Sequence, residues 1–172
     1  MKKVFFGLVG LVFLVSCTSK YDSLLEKIKS LEEKVRTQAI PDKADGGKLV
    51  ASYIEFADAF PEDSLTPTML FNASRVSFAL NDPETSLSVL KRLTDAYSES
   101  KPIADAYVFY GFIYETVYQD FEAARYWYEL FLLDFPQHEM SEDVKVTLQN
   151  LGKTPEELVA EFQKNAEENK SE

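Results

Sequence analysis

Three stretches of this chain repeat one helical pattern. "LVASYIEFADAFPED" from Leu49, "SLSVLKRLTDAYSES" from Ser86 and "ARYWYELFLLDFPQH" from Ala124 start 37 and 38 residues apart. Each opens on an apolar or small residue (Leu49, Ser86, Ala124). Large side chains follow at helical steps: Tyr53, Leu90 and Tyr128, then Phe56, Leu93 and Phe131, then Phe60, Tyr97 and Phe135. Pro61, Ser98 and Pro136 end the frame. A period of this length dictates a fold in which each unit buries its apolar face against its neighbours. Helix start signals punctuate it: Thr66 before Pro67, Asp82 before Pro83, and the capping box "TPEE" at Thr154–Glu157. The domain is expected to be all-α, with antiparallel helix pairs.

The preceding helices fit a known family. "AYVFYGFIY" puts Tyr107, Tyr110, Gly111 and Tyr114 where the tetratricopeptide repeat carries its large aromatic, leucine, glycine and tyrosine, and Ala124, Tyr128, Phe131 and Pro136 match its second helix. Leu70, Ala73, Ser74 and Ser77, with Ser86, Leu90, Leu93 and Ser98, follow the frame more loosely. The chain resembles that family over residues 49–138, with a degenerate continuation, and the resemblance implies an α-solenoid over 49–166. The first repeat lacks a clear first helix. Helices from Ser141 to Leu151 and from Thr154 to about Ala166, with Leu151, Leu158, Val159 and Phe162 on one side, are expected to cap the array. A polar tail covers 167–172.

At the other end, Lys2 and Lys3 precede an apolar and glycine run from Val4 to Val15, then Ser16 and the only cysteine, Cys17. The run is short of the about 20 residues that span a bilayer, and it has the form of an export signal over residues 1–16. Leu14, Val15 and Ser16 before Cys17 resemble the lipobox of bacterial lipoproteins. That resemblance implies cleavage before Cys17, attachment of a diacylglycerol to its sulfur and acylation of the new amino terminus. With more than one chain, at roughly 0.8 kcal/mol per buried methylene, the anchor holds stably. An ordinary secretion signal with an incidental cysteine is the plainer alternative. A lipobox ahead of repeats ending in "FP" is similar to the BamD-like outer-membrane lipoproteins and to coiled-coil plus tetratricopeptide envelope proteins. Thr18, in place of the aspartate that retains lipoproteins at the inner membrane, points to the outer membrane, facing the periplasm.

Between anchor and repeats, Tyr21, Leu24, Ile28, Leu31 and Val35 alternate steps of three and four. This a/d stripe over residues 17–36 reads either as a short self-associating coiled coil or as a single amphipathic helix lying on the domain or on lipid. In both readings it is a spacer. Residues 37–48, "TQAIPDKADGGK", carry Pro41, Gly46 and Gly47 and are expected to be a linker.

The whole chain of 172 residues has a net charge of -11, and removal of the two leader lysines makes it more acidic. That disfavours nucleic-acid binding, which needs a basic patch. A lone cysteine permits no internal disulfide. His138 is the only histidine, so no histidine triad or multi-histidine metal site is available within one chain. The acidic runs "PEDS", "NDPE", "MSED" and "TPEE" fall at helix starts, where they complement the helix dipole. Gly46-Gly47 lacks the lysine spacing of a phosphate loop. No catalytic residue, metal or cofactor is assigned, and the chain is read as a non-enzyme.

Tyr107, Tyr110, Tyr114, Tyr128 and Phe131, at signature positions, are expected in the core. The family resemblance implies that the concave groove is lined from each first helix: Thr68, Phe71, Arg75, Phe78 and Ala79, then Asp105, Val108, Phe112, Glu115 and Thr116. Phe71, Arg75, Phe78, Val108, Phe112 and Glu115 are the expected partner-binding residues, the aromatics forming an apolar wall and Arg75 able to hold a carboxylate. If the groove folds onto the stalk or the C-terminal cap, the same residues are core. The reading is a lipid-anchored envelope scaffold that docks a protein or peptide. Its rivals are a structural homo-oligomer assembled through the stalk and an envelope enzyme with an unfamiliar site.

Overall fold

The computed structural model describes residues 5–38 and 42–168, with side chains from Lys20 onward except at 162 and 165–168. Every element among them is helical: α1 (Phe5–Arg36), α2 (Lys43–Ala59), α3 (Thr66–Ala79), α4 (Pro83–Ala96), α5 (Ile103–Ile113) running into a π-helical turn (Tyr114–Tyr118), α6 (Phe121–Asp134), α7 (Ser141–Asn150) and α8 (Pro155–Glu168). The helices form two compact units, one ending at Pro102 and the other starting at Ile103.

In the first unit the middle of the heptad stripe is buried, and Tyr21, Leu31 and Val35 are half-buried. Leu24 and Ile28 are 5% and 2% exposed, and the Tyr21 ring meets Phe56 and Phe60 at 5.5 and 5.1 Å between centroids. Polar contacts fix the antiparallel register along α1 and α2. Lys27 pairs with Glu55 at 3.0 Å, Tyr53 donates to Glu32 at 2.6 Å, and Lys34 pairs with Asp45 at 2.7 Å. The segment expected to be a spacer is therefore the antiparallel partner of α2.

The expected linker is shorter than its composition suggested, because α2 starts at Lys43 and contains both Gly46 and Gly47. Asp42 caps it, accepting from the Ala44 N–H at 3.1 Å. Asp45 is buried in its first turn between Lys34 and Lys48, and Gly46 leaves room for the Leu80 side chain. Tertiary contact here outweighs the helix-breaking tendency of two glycines. Residues 39–41 of the linker, 1–4 of the leader and 169–172 of the tail lie outside the described residues.

The three helix ends aligned in sequence share a backbone geometry. Phe60, Tyr97 and Phe135 end α2, α4 and α6 with φ/ψ of -135/60, -136/41 and -129/53. Each N–H bonds the carbonyl four residues back, on Phe56, Leu93 and Phe131. The turns after Phe60 and Phe135 match further. Asp63 N–H bonds the Phe60 carbonyl as His138 N–H bonds that of Phe135, while Thr66 and Ser141 donate their hydroxyls to the same two carbonyls at 2.6 and 2.9 Å. Thr66, read from sequence as an N-cap beside Pro67, makes no cap bond to its own helix and secures the end of the previous one. Asp82 does cap α4, through the Thr85 N–H at 3.0 Å, and Asp120 caps α6 in the same way through Ala123. Asn81 and Gln119 precede these caps with left-handed φ of 62° and 51°.

The unequal spacing of the repeats has a local cause. From Ile103 to Asp120 the chain is one residue longer than from Thr66 to Asp82, and the π turn at Tyr114–Tyr118 lies in that interval. A π turn accommodates one extra residue without ending the helix.

Candidate interaction surface

The core of the second unit is built on the predicted signature. Ala104, Ala124, Tyr128, Phe131 and Val144 are buried together, with Tyr107, Val108, Tyr114 and Leu148 packed against them. Tyr110 is 4% exposed and stacks on Trp127 at 4.0 Å between centroids. Gly111 is the close-approach position: a Cβ there would penetrate the Tyr128 ring. Tyr128 donates to Glu115 Oε2 at 2.7 Å, and burial, reinforced by that carboxylate, pushes its pKa far above the ordinary tyrosine value.

The expected partner-binding residues fall into two groups, one per unit. On α3, Phe71 and Phe78 are half-buried and Arg75 is exposed, with its guanidinium carbon 5.9 Å from the Phe71 ring centroid. This is cation–π range, so the arginine is preset above an aromatic face. Arg75 also acts on the buried Tyr53 phenol: burial raises that pKa most, Glu32 raises it further, and Arg75 and Asn72 pull it back. Arg75 thus lies within electrostatic reach of the buried Tyr53–Glu32 pair.

In the second unit Phe112 is 40% exposed and stacks on Phe109 at 6.2 Å, whereas Val108 packs against the core. Glu115 lies in the π turn and is engaged by Tyr128. Its carboxylate is thus a structural acceptor as well as a surface group.

Three other surface features carried no sequence signal. Val117, Tyr118 and Phe121 are exposed around the π turn and the start of α6. An open cleft of about 680 Å³ beside them is lined by Thr116, Gln119, Phe121, Val146, Asn150 and Leu158 among others. In the first unit a shallower one of about 480 Å³ runs along α1 and α2 between Lys20, Ala51, Ile54 and Ala59. His138 accepts the Met140 N–H at 3.3 Å and sets its ring edge against Phe131, so it serves the turn in which it stands. Among the described residues no group of three or more histidine, cysteine or acidic side chains is placed to hold a metal, and no helix is long and apolar enough to cross a membrane.

No protein-family model, curated protein or solved structure matches the chain.

Proposed function

We propose that this chain is a lipid-anchored envelope scaffold, a tetratricopeptide-like repeat protein that docks a protein or peptide partner and carries out no chemistry of its own. The observation that supports it most is the triplicated helix end at Phe60, Tyr97 and Phe135, with its repeated carbonyl bonding. Repeat architectures of helix pairs present their first helices as recognition surface. The α3 patch of Phe71, Arg75 and Phe78 suits an extended segment bearing a carboxylate, which Arg75 would pair while the rings take apolar side chains. The second unit offers Phe112 as a separate apolar contact.

The anchor rests on the lipobox-like "LVSC" at Leu14–Cys17, with the outer membrane and its periplasmic face as the location. Lipid confinement raises the effective concentration of the repeats for membrane partners. A homo-oligomer through the N-terminal helix is disfavoured, because Leu24 and Ile28 are buried against α2.

Two measurements test the reading. Cells fed a clickable fatty acid should label the wild-type protein and leave Cys17→Ser unlabelled and released from membranes; full membrane partition of the variant overturns the anchor. A photo-crosslinking residue at position 75 should give a discrete adduct that Phe71→Ala removes while the melting temperature holds. An adduct unaffected by Phe71→Ala places recognition elsewhere.

A further inference from the structure

The packing of α1 fixes how far the repeats stand from an anchor at Cys17, and the geometry points to a protein without a stalk, whose first unit is held with its Phe60–Leu65 edge against the lipid headgroups. This rests on the anchor reading above and adds the surface that meets the membrane. Cys17 and Tyr21 lie on one continuous helix, and Tyr21 is already locked on Phe56 and Phe60. Four residues of helix rise about 6 Å, and even fully extended they reach at most about 14 Å. The intervening segment is too short to lift the body clear of the headgroup layer.

The register of α1 on α2 decides which edge is near. Because the two run antiparallel, the end of α1 that leads to Cys17 meets the C-terminal end of α2, while Lys34 meets Asp45 at the far end. The near edge continues through the turn at Pro61 to α4, since the Tyr97 hydroxyl donates to the Pro61 carbonyl at 2.9 Å. The turn with Asn81 and Asp82 lies at the opposite edge, one 14-residue helix away, about 20 Å. Glu62, Asp63 and Glu99 on the near edge are set against Lys20 and Lys101, so the edge has no basic excess. Charge does not draw it to anionic lipid, so the short tether is what holds it there.

The test uses the protein as processed by bacterial cells and purified from their membranes. A keto amino acid carrying a dye replaces Ser64 at the near edge or Glu84 at the far edge. The protein is reconstituted into phosphatidylcholine vesicles bearing a headgroup energy acceptor. Transfer from position 64 should exceed that from position 84 several-fold, and a long Gly-Ser insertion between Ser19 and Lys20 should abolish the difference. Equal transfer from the two positions, or indifference to the insertion, overturns the inference. The intact mass separately reports the acyl group. If it is absent, the anchor reading fails, and the same dyes on protein coupled through Cys17 to a maleimide lipid still measure the geometry.

Discussion

The Tyr128 phenol donates a 2.7 Å hydrogen bond to Glu115, joining the second helix of a pair to the π turn of the first. Tyr53 does the same for the first pair through Glu32 at 2.6 Å. Leu90 holds the aligned position of the middle stretch and needs no acceptor. Both tyrosines are 3% exposed, so each hydroxyl depends on its glutamate. Glu115→Ala should cost about 1–3 kcal/mol in urea unfolding by orphaning a buried donor, and Tyr128→Phe only about 0.5–1.5 kcal/mol. The double variant should be more stable than the sum of the two losses implies, as a shared contact requires.

The same pairs set an alkaline limit. Burial first, and the neighbouring glutamate second, raise the pKa of both phenols in the folded chain above the ordinary value. A group whose folded pKa is raised contributes stability that is whole below its unfolded pKa, about 10 for tyrosine, and lost as pH climbs through the folded value. Stability should therefore fall above pH about 10. Ultraviolet titration should show tyrosinate at Tyr53 and Tyr128 forming only with unfolding. Tyr128→Phe should flatten part of the decline.

At the acid end, Asp45 carries the α1–α2 clasp. The Lys34 hydrogen bond leads the causes that hold its carboxyl below the usual range, outweighing the opposing effect of burial. Asp82 is lowered by its contacts with Thr85. Depressed carboxylates contribute stability that is present above the unfolded pKa of about 3.9 and lost as pH falls through the folded one. The urea midpoint should drop below pH about 4, and Asp45→Asn should start lower at neutral pH and respond less to acid.

Glycine substitutions should move stability in opposite directions at two helical sites. Gly111→Ala drives a Cβ into the Tyr128 ring, an overpacking that costs about 1–3 kcal/mol. Gly47 has open space around its Cβ direction and sits inside α2, so Gly47→Ala should stabilise by about 0.5–1 kcal/mol. Paired thermal melts read both. Similar losses in the two variants would mean that helix contact at Gly111 is not what selects glycine there.

These positions also show what the sequence made legible. Gly111, Tyr128, Phe131 and the aromatic at each helix end were readable because a repeat prints the same demand several times. The mates of α1 and of Tyr53 were not, since one amphipathic stripe fits a coiled coil, a lipid surface or a neighbouring helix equally well. Gly46 and Gly47 indicated a linker because local propensity carries no information about Leu80 or Lys34, which come from elsewhere in the chain. Arg75 and Phe112 are exposed and Phe71 and Phe78 half-buried, as a helix face read from periodicity alone allows. The Tyr128 bond to Glu115 and the packing of Val108 on the core were not legible, since periodicity does not encode which side chains meet across helices.

The two hydroxyl-sealed turns give the last test, because they separate repeat architecture from chance similarity. Thr66 and Ser141 are 0% and 3% exposed, and each closes a helix whose final carbonyl, on Phe60 or Phe135, already accepts a backbone N–H in the turn. Thr66→Val preserves shape and removes only the donor, so it should cost about 0.5–1.5 kcal/mol, with Ser141→Ala in the same range. The losses should add within about 0.5 kcal/mol, because the two turns share no partner. Amide hydrogen exchange should localise each effect, quickening at Phe60 and its turn in the first variant and at Phe135 and its turn in the second. Were Thr66→Val neutral while Ser141→Ala destabilised, the matching dihedrals of Phe60 and Phe135 would be coincident geometry serving unlike purposes, and the case for a repeat would lose its strongest support.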